Sequence, residues 1–353
     1  MGDDLQRIID AVREAAATGV PLAIRGGGTK DFLGERIIGT PLEIGGHAGI
    51  VDYDPSELVV TARAGTPLAE LEALLASRGQ MLAFEPPHFA PGGTVGGAVA
   101  AGLAGPRRAS AGGVRDFVLG ASIVSGGGEL LRFGGRVMKN VAGYDVSRLL
   151  CGSLGVLGPI VEVSLKVLPK PALERTLEYE LDAPAAVAAF NRAARQPLPV
   201  SATSWCAGRA RIRLSGAPAA VESARHVLGG REVESGDAAA WWEALRHHRA
   251  PLLAARTPLW RVVVPATAPL LPLETPELVE WAGALRWCRA GEDGAAVRAR
   301  ARAAGGAAAL WHGPAGSRMF DDLPAAALAI HRRLKASFDP AAIFNRGRLD
   351  PGL

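Results

Sequence analysis

Apolar residues Leu5, Ile8, Ile9, Val12 and Ala16 recur at the spacing of one helical face, with Asp4 in a capping position and Gly19 in the stopping position. Residues 5–18 are therefore predicted to form an amphipathic helix. Pro21–Arg25 reads as a short strand, and Leu58–Ala64 as a buried one. Thr66 is predicted to cap, and Pro67 to open, a helix carrying Leu68, Leu71, Leu74 and Leu75 that Gly79 ends. Val118–Val124 and Glu129–Phe133 flank Ser125-Gly126-Gly127-Gly128, a hairpin signal. Val161, Val163, Leu165 and Val167 alternate with Glu162, Ser164 and Lys166, the pattern of a half-buried strand.

Pro169-Lys170-Pro171 is the clearest boundary, because two prolines in three residues interrupt ladders and helices alike. Beyond it, β patterns at Arg211–Leu214 and Trp260–Val264 mix with alanine-rich helices at Ala183–Ala194 and Ala295–Ala304, as in a sheet covered by helices. A chain of 353 residues can build two cores. The expected fold is α+β: a domain over 1–170, a smaller α+β cap over 171–335, and a turn-rich return segment over 336–353.

Three glycine-rich turns punctuate the first domain: Arg25-Gly26-Gly27-Gly28-Thr29-Lys30, Pro91-Gly92-Gly93-Thr94-Val95-Gly96-Gly97 and Gly152-Ser153-Leu154-Gly155-Val156-Leu157-Gly158. Each adjoins a strand or helix pattern, so backbone amides can approach one phosphate-bearing ligand from several sides. Neither G-x-x-x-x-G-K-[ST] nor G-x-G-x-x-G occurs, which excludes a P-loop and a Rossmann fingerprint. The net charge of +4 rests on 39 basic residues, of which only five are lysine, and no basic run interleaves with aromatics, so no nucleic-acid partner is expected. Cys151, Cys206 and Cys288 are too scattered for a disulfide framework or a metal cluster. No apolar run approaches the ~20 residues of a membrane span, and the acidic start lacks a secretory pattern, so a cytoplasmic location is expected.

The turns, with Arg115-Asp116-Phe117-Val118-Leu119-Gly120 and Lys139-Asn140-Val141-Ala142-Gly143-Tyr144-Asp145 between them, resemble the FAD-binding domain of the vanillyl-alcohol oxidase (PCMH) type over residues 1 to about 170. Within it, Met81–Phe89, Gly105–Arg108, Val137–Asn140 and the closing Phe338-Asp339-Pro340-Ala341-Ala342-Ile343-Phe344-Asn345 are similar to the family of FAD-binding E subunits of bacterial glycolate oxidases. The resemblance implies a two-subdomain FAD-binding domain followed by a cap. It implies a first diphosphate turn at Arg25, Gly26, Gly27, Gly28 and Thr29, and a flavin-side wall at Pro91, Gly92, Gly93, Thr94, Val95, Gly96 and Gly97. An adenine edge would lie at Gly155, Ile160 and Val161, and the return segment would fold toward the flavin. Lys30 reads either as a phosphate ligand or as a solvated turn lysine. Thr29 stands where many members carry a histidine bonded to the flavin, which implies a dissociable cofactor; Cys151 reads as a packed small residue before it reads as an alternative attachment point.

Catalytic relatives bring paired histidines and a carboxylate from the second domain, and His226, His247, His248, His312 and His331 lack that pattern, so no metal site is expected. Adjacent His247 and His248 suit a solvated surface. The catalytic candidates are His88, beside the second turn, as acid, base or flavin-tuning group; Arg107, with Arg108, as a carboxylate or flavin contact; and His312 as a ligand-facing histidine. Each has a packing or surface alternative. Trp241, Trp242, Trp281 and Trp287 suit core packing or an interface. The resemblance implies an FAD-binding subunit of a complex oxidising glycolate, a small 2-hydroxy acid, to glyoxylate. Its partners would be a D-type flavin subunit and an iron-sulfur F-type subunit, through which the chain would sit peripherally at the inner membrane. An autonomous FAD-dependent 2-hydroxy-acid dehydrogenase, for example for D-lactate, and a non-catalytic scaffold are the alternatives.

Overall fold

The computed structural model describes residues 2–135, 145–254, 258–270, 277–289, 294–314 and 316–353. Two compact units emerge: Met1–Leu103 with Gly113–Lys170 and Asp322–Leu353, and Ala104–Gly112 with Pro171–Asp321. The short excursion 104–112 thus belongs to the second unit, and the chain returns to the first at Asp322 rather than at 336.

In the first unit, the helix Asp3–Thr18 buries Ile8, Ile9, Val12 and Ala15 and stops at Gly19 in the left-handed region (φ 71°). Its N-cap is Gly2, and Asp4 lies inside the first turn, where a carboxylate favours the helix dipole without capping. Strand Leu22–Arg25 runs parallel to Thr40–Glu43. A second, antiparallel sheet orders five strands as Ile50–Asp54, Val59–Arg63, Ile160–Lys166, Val118–Val124 and Leu130–Gly134. The strand Ile160–Lys166 occupies the centre of that order, so Ser164 is buried too, its hydroxyl paired with Thr61 Oγ1 at 2.8 Å. Glu162 and Lys166 stay half-exposed, so the alternation holds there, and Ser164 departs from it because its hydroxyl is paired. The helix Leu68–Ser77 has Pro67, not Thr66, at its N-cap. The Thr66 hydroxyl instead accepts the Gly49 N–H at 2.9 Å, closing a loop to the sheet.

The second unit is built on an antiparallel sheet ordering eight described strands as Arg231–Glu232, Leu173–Glu180, Arg209–Gly216, Val200–Cys206, Leu278–Glu280, Leu285–Cys288, Leu259–Val263 and Ala307–His312. Ala183–Ala194 and Pro218–Leu228 supply Ala186, Phe190, Val221 and Ala224 to one core, and Gly294–Ala303 supplies Val297 and Ala301 to another. Trp242, Trp281 and Trp287 are buried. His248 is no surface group: its ring stacks on Trp311 and meets Trp287 edge-on, and burial pushes its pKa down to about 3. The helix Ser235–Arg246 ends just before it, and its left-handed backbone (φ 53°) takes it off the helical track.

Candidate cofactor-binding site

Strand Leu22–Arg25 delivers the first glycine turn to a cavity of about 660 Å³, within the size range of small-ligand and cofactor sites. The C-terminal tail secures that strand. Leu22 N–H donates to the Ile343 carbonyl at 2.7 Å, Asn345 N–H to the Leu22 carbonyl at 3.1 Å, and Ile24 N–H to Asn345 Oδ1 at 2.8 Å. Asn345 Nδ2 donates to the Leu154 carbonyl at 2.6 Å, tying the first turn's strand to the third turn. Lys335, at the end of the helix Ala325–Phe338, donates to the Val156 and Phe344 carbonyls at 2.8 and 2.6 Å and pairs with buried Asp339 at 2.7 Å.

The first two turns meet backbone to backbone. A Cβ on Gly27 would stand 1.6 Å from the Gly92 carbonyl oxygen, and one on Gly96 would stand 2.5 Å from the Ala64 Cβ. Neither position admits a side chain. The second turn passes into the helix Val95–Ala101, where Thr94 Oγ1 accepts the Gly97 N–H at 3.2 Å.

Of the residues singled out in the sequence, Arg25, Gly26, Gly27, Gly28, Thr29, Lys30, Thr94, Gly96, Gly97, Gly155 and Ile160 line the cavity. Pro91, Gly92, Gly93, Val95 and Val161 are not in that lining. Gly92 backs the first turn, Val95 is core, and the Val161 carbonyl accepts the Ala64 N–H at 2.9 Å. The lining also takes in Ala100 and Ala101, from the small-residue run 98–101 whose sequence suits a helix passing close beneath a flat ligand or another backbone, and Phe32, Arg36, Asn345 and Arg348, which sequence patterning did not single out as ligand contacts. The motif residues 139–144 lie outside the described residues.

Four basic side chains line the cavity, Arg25, Lys30, Arg36 and Arg348, against one acid, Asp31. Arg25 pairs with Asp31 at 2.8 Å. Arg348 donates to the carbonyls of Glu35, Asp31 and Lys30 at 3.0, 2.9 and 3.3 Å, clamping the loop, and burial lowers its pKa. Lys30 differs. Its Nζ is buried and has no hydrogen-bond partner among the described residues, and burial pushes its pKa down to about 8. The solvated-turn reading of Lys30 therefore fails. The N–H groups of Gly27, Gly28 and Thr29 likewise donate to no acceptor among the described residues. Unsatisfied donors around a net-positive cavity fit an oxygen-rich anion such as a diphosphate.

Comparison with known proteins agrees with that chemistry. Residues 3–134 match the FAD binding domain family. Over 347 residues, 98% of this chain and 97% of the relative, the sequence is 44% identical to glycolate oxidase subunit GlcE of Escherichia coli. The chain belongs to the GlcE family. It is also 33% identical over 182 residues to glycolate oxidase subunit GlcD of Bacillus subtilis, covering 50% of this chain and 37% of that one. Among solved structures, alkyldihydroxyacetonephosphate synthase shares the fold with a TM-score of 0.66 at 16% identity, over 96% of this chain and 75% of that one. The protein is thus a flavoprotein of the oxidoreductase class with a PCMH-type α+β fold and FAD as its cofactor.

Each catalytic candidate in this GlcE-family chain has a polar partner within its own unit. His88 Nε2 meets Glu72 Oε2 at 2.8 Å, on the helix Leu68–Ser77. Arg107 is buried in the second unit and donates to Glu174 Oε1 at 2.6 Å, so it is not an exposed loop arginine. Glu174 also accepts from the Ser215 hydroxyl at 2.5 Å, and its arginine and hydroxyl partners hold its pKa low against the effect of burial. His312 lies at the end of the strand Ala307–His312, its Nε2 3.1 Å from the Leu253 carbonyl. None of the three lines the cavity.

Proposed function

We propose that the protein is the flavin-holding subunit of a heteromeric assembly that oxidises glycolate to glyoxylate, together with a D-type flavin subunit and an iron-sulfur F-type subunit. The observation that carries the reading is the buried Lys30 ammonium, which has no hydrogen-bond partner among the described residues, beside free turn amides, in a chain aligned nearly end to end with GlcE. Lys30, Thr29 and the Gly26–Gly28 turn would hold the diphosphate, and Gly96, Gly97, Ala100 and Ala101 would leave room for a flat ring. Once bound, FAD supplies acceptance of a hydride equivalent from the hydroxy acid and onward transfer of its electrons.

Attachment is non-covalent in this reading. Thr29 offers no nucleophile suited to flavin bonding, and burial pushes the Cys151 thiol up to about 12, which withholds the thiolate. Assembly is supported by how the catalytic candidates are spent: His88 on Glu72, Arg107 on Glu174 and His312 on a backbone carbonyl. The hydroxyl proton of the substrate then goes to a base supplied by another subunit. No described helix is long and apolar enough to cross a membrane; in this reading any membrane contact is made through the partner subunits.

Visible spectra of the purified chain, alone and with its partners, test the proposal. The chain should bind FAD stoichiometrically and keep it oxidised in the presence of glycolate, with bleaching only once the D-type and F-type subunits are added. A chain that takes up no FAD overturns the reading. Bleaching of the chain alone would show an autonomous dehydrogenase instead.

A further inference from the structure

The second unit holds two guanidinium groups over one indole. Arg108 lies 4.6 Å and Arg261 5.3 Å from the centre of the Trp281 ring, and Arg261 is also 6.0 and 5.9 Å from Trp287 and Trp311. Neither guanidinium has a hydrogen bond or ion pair among the described residues, whereas Arg107, next in sequence, is committed to Glu174. Arg261 is placed by its strand: it pairs with Trp287 on one side and Ala309 on the other, on the face opposite Trp260 and Val262, which pack in the Val297 and Ala301 core. Two like charges close to one ring repel, and a bound anion would offset both.

The platform is built with strained backbone. Trp281, Ala282 and Gly283 take consecutive positive φ values of 53°, 58° and 104°. For the first two residues this conformation is costly and persists only where the surroundings over-determine it. Thr203 Oγ1 accepts the Ala282 N–H at 2.8 Å, Asn191 Nδ2 donates to the Ala282 carbonyl at 3.1 Å, and Arg286 Nε donates to the Gly283 carbonyl at 2.9 Å. The Trp281 indole N–H donates to the Gly105 carbonyl at 3.1 Å, which fixes the ring beneath Arg108. Strain held in this way is characteristic of ligand sites, and here it fixes the Trp281 ring close to both arginines.

We propose that Arg108 and Arg261, presented on Trp281, bind the carboxylate of a small 2-hydroxy monocarboxylate, an inference that rests on the glycolate-oxidising reading above. Net charge selects the class. Nearby Glu280, which accepts the Trp287 indole N–H at 3.0 Å, partly offsets the two cations, leaving one positive charge for one carboxylate. Burial and the proximity of Arg108 lower the Arg261 pKa to about 10 against the opposing influence of Glu280, so it remains charged through the neutral range without an ion pair among the described residues. The planar guanidinium geometry suits bidentate capture of a carboxylate.

Tryptophan fluorescence of the FAD-loaded chain, titrated with glycolate at fixed ionic strength, tests the site, with ethylene glycol as the probe that lacks the carboxylate. Glycolate alone should give a saturable change. Arg108→Gln and Arg261→Met should each weaken it about 10- to 100-fold. Arg108 is exposed on the short helix Arg108–Ala111, so its variant reads out even if Arg261→Met misfolds. Arg192→Gln, on the exposed side of the helix Ala183–Ala194, should leave the titration unchanged. An equal response to ethylene glycol, or an unaltered titration in Arg108→Gln, overturns the site. FAD content and glycolate oxidation by the reconstituted complex report separately on the functional reading. An active, FAD-replete complex whose chain gives no glycolate response overturns this site alone, whereas glycolate binding by a chain that takes up no FAD supports the site and overturns the functional reading.

Discussion

Burying an ammonium without an acceptor costs free energy, and Lys30 bears that cost in a cavity walled by free amides. In the folded chain its pKa falls from 10.5 to about 8 because of burial. Below pH 8 both folded and unfolded chains hold the proton and the full penalty applies; between 8 and 10.5 the unfolded chain binds more protons, so the stability of the FAD-free protein rises with pH. Diphosphate binding has the opposite dependence, since it uses the charged amine. FAD affinity should fall as the pH rises above 8, and Lys30→Met should weaken FAD binding about 10- to 100-fold below that pH while flattening the profile. Flavin fluorescence titrations across that range would check both, and an unchanged affinity in Lys30→Met would remove the diphosphate role. Gly27 gives a steric counterpart. The atom a Cβ would meet belongs to the Gly92 backbone, which has no rotamer to yield, so Gly27→Ala should cost about 1–3 kcal/mol in urea unfolding and abolish stoichiometric FAD uptake.

At the scale of elements, the cavity depends on a tail that local sequence reading cannot place against its partners. Asn345 bonds Ile24 across 321 positions, and Lys335 bonds Val156 across 179. Lys335→Met would leave Asp339 buried without its cation, although two backbone N–H groups, of Ile343 and Phe344, still reach that carboxylate. Stability should fall by about 3–5 kcal/mol by chemical denaturation, with loss of FAD retention; a variant that keeps its flavin at full stability would show that the tail does not brace the third turn. The same distances explain what was legible in the sequence. The helix Asp3–Thr18, the hairpin strands and the strand Ile160–Lys166 announce themselves because periodicity is a local property. The glycine turns were legible because backbone crowding leaves glycine as the residue that fits. Asp4 and Thr66 were misread as caps because a hydroxyl or carboxylate near a helix start has more than one use, and the Thr66 hydroxyl is drawn to Gly49 instead. Arg107, His88 and His312 are candidates by residue type, and their partners Glu174, Glu72 and the Leu253 carbonyl come from distant or unpatterned positions that the sequence does not pair with them.

At the scale of the whole molecule, the mode of cofactor attachment links chemistry to stability. Cys151 and Cys206 are held as thiols by burial, and Cys288 is buried. Thr29 stands in the first turn where a tethering histidine would otherwise be expected. FAD held only by amides, Lys30 and apolar contact is in mass-action equilibrium with the folded chain, so its binding free energy adds to folding free energy. Free FAD at about 100 times its dissociation constant should stabilise the protein by about 2.7 kcal/mol, a rise in melting temperature of roughly 2–4 °C that grows logarithmically with further FAD. Acid precipitation of the same preparation should leave all flavin in the supernatant. Flavin that stays with the pellet, or a melting temperature that ignores FAD concentration, would require a covalent bond to one of the side chains excluded here. Lys30→Met separates the two outcomes further: it should lower the FAD-dependent shift at any given FAD concentration if contacts alone hold the cofactor, and should leave the flavin content of the acid pellet unchanged if a bond does.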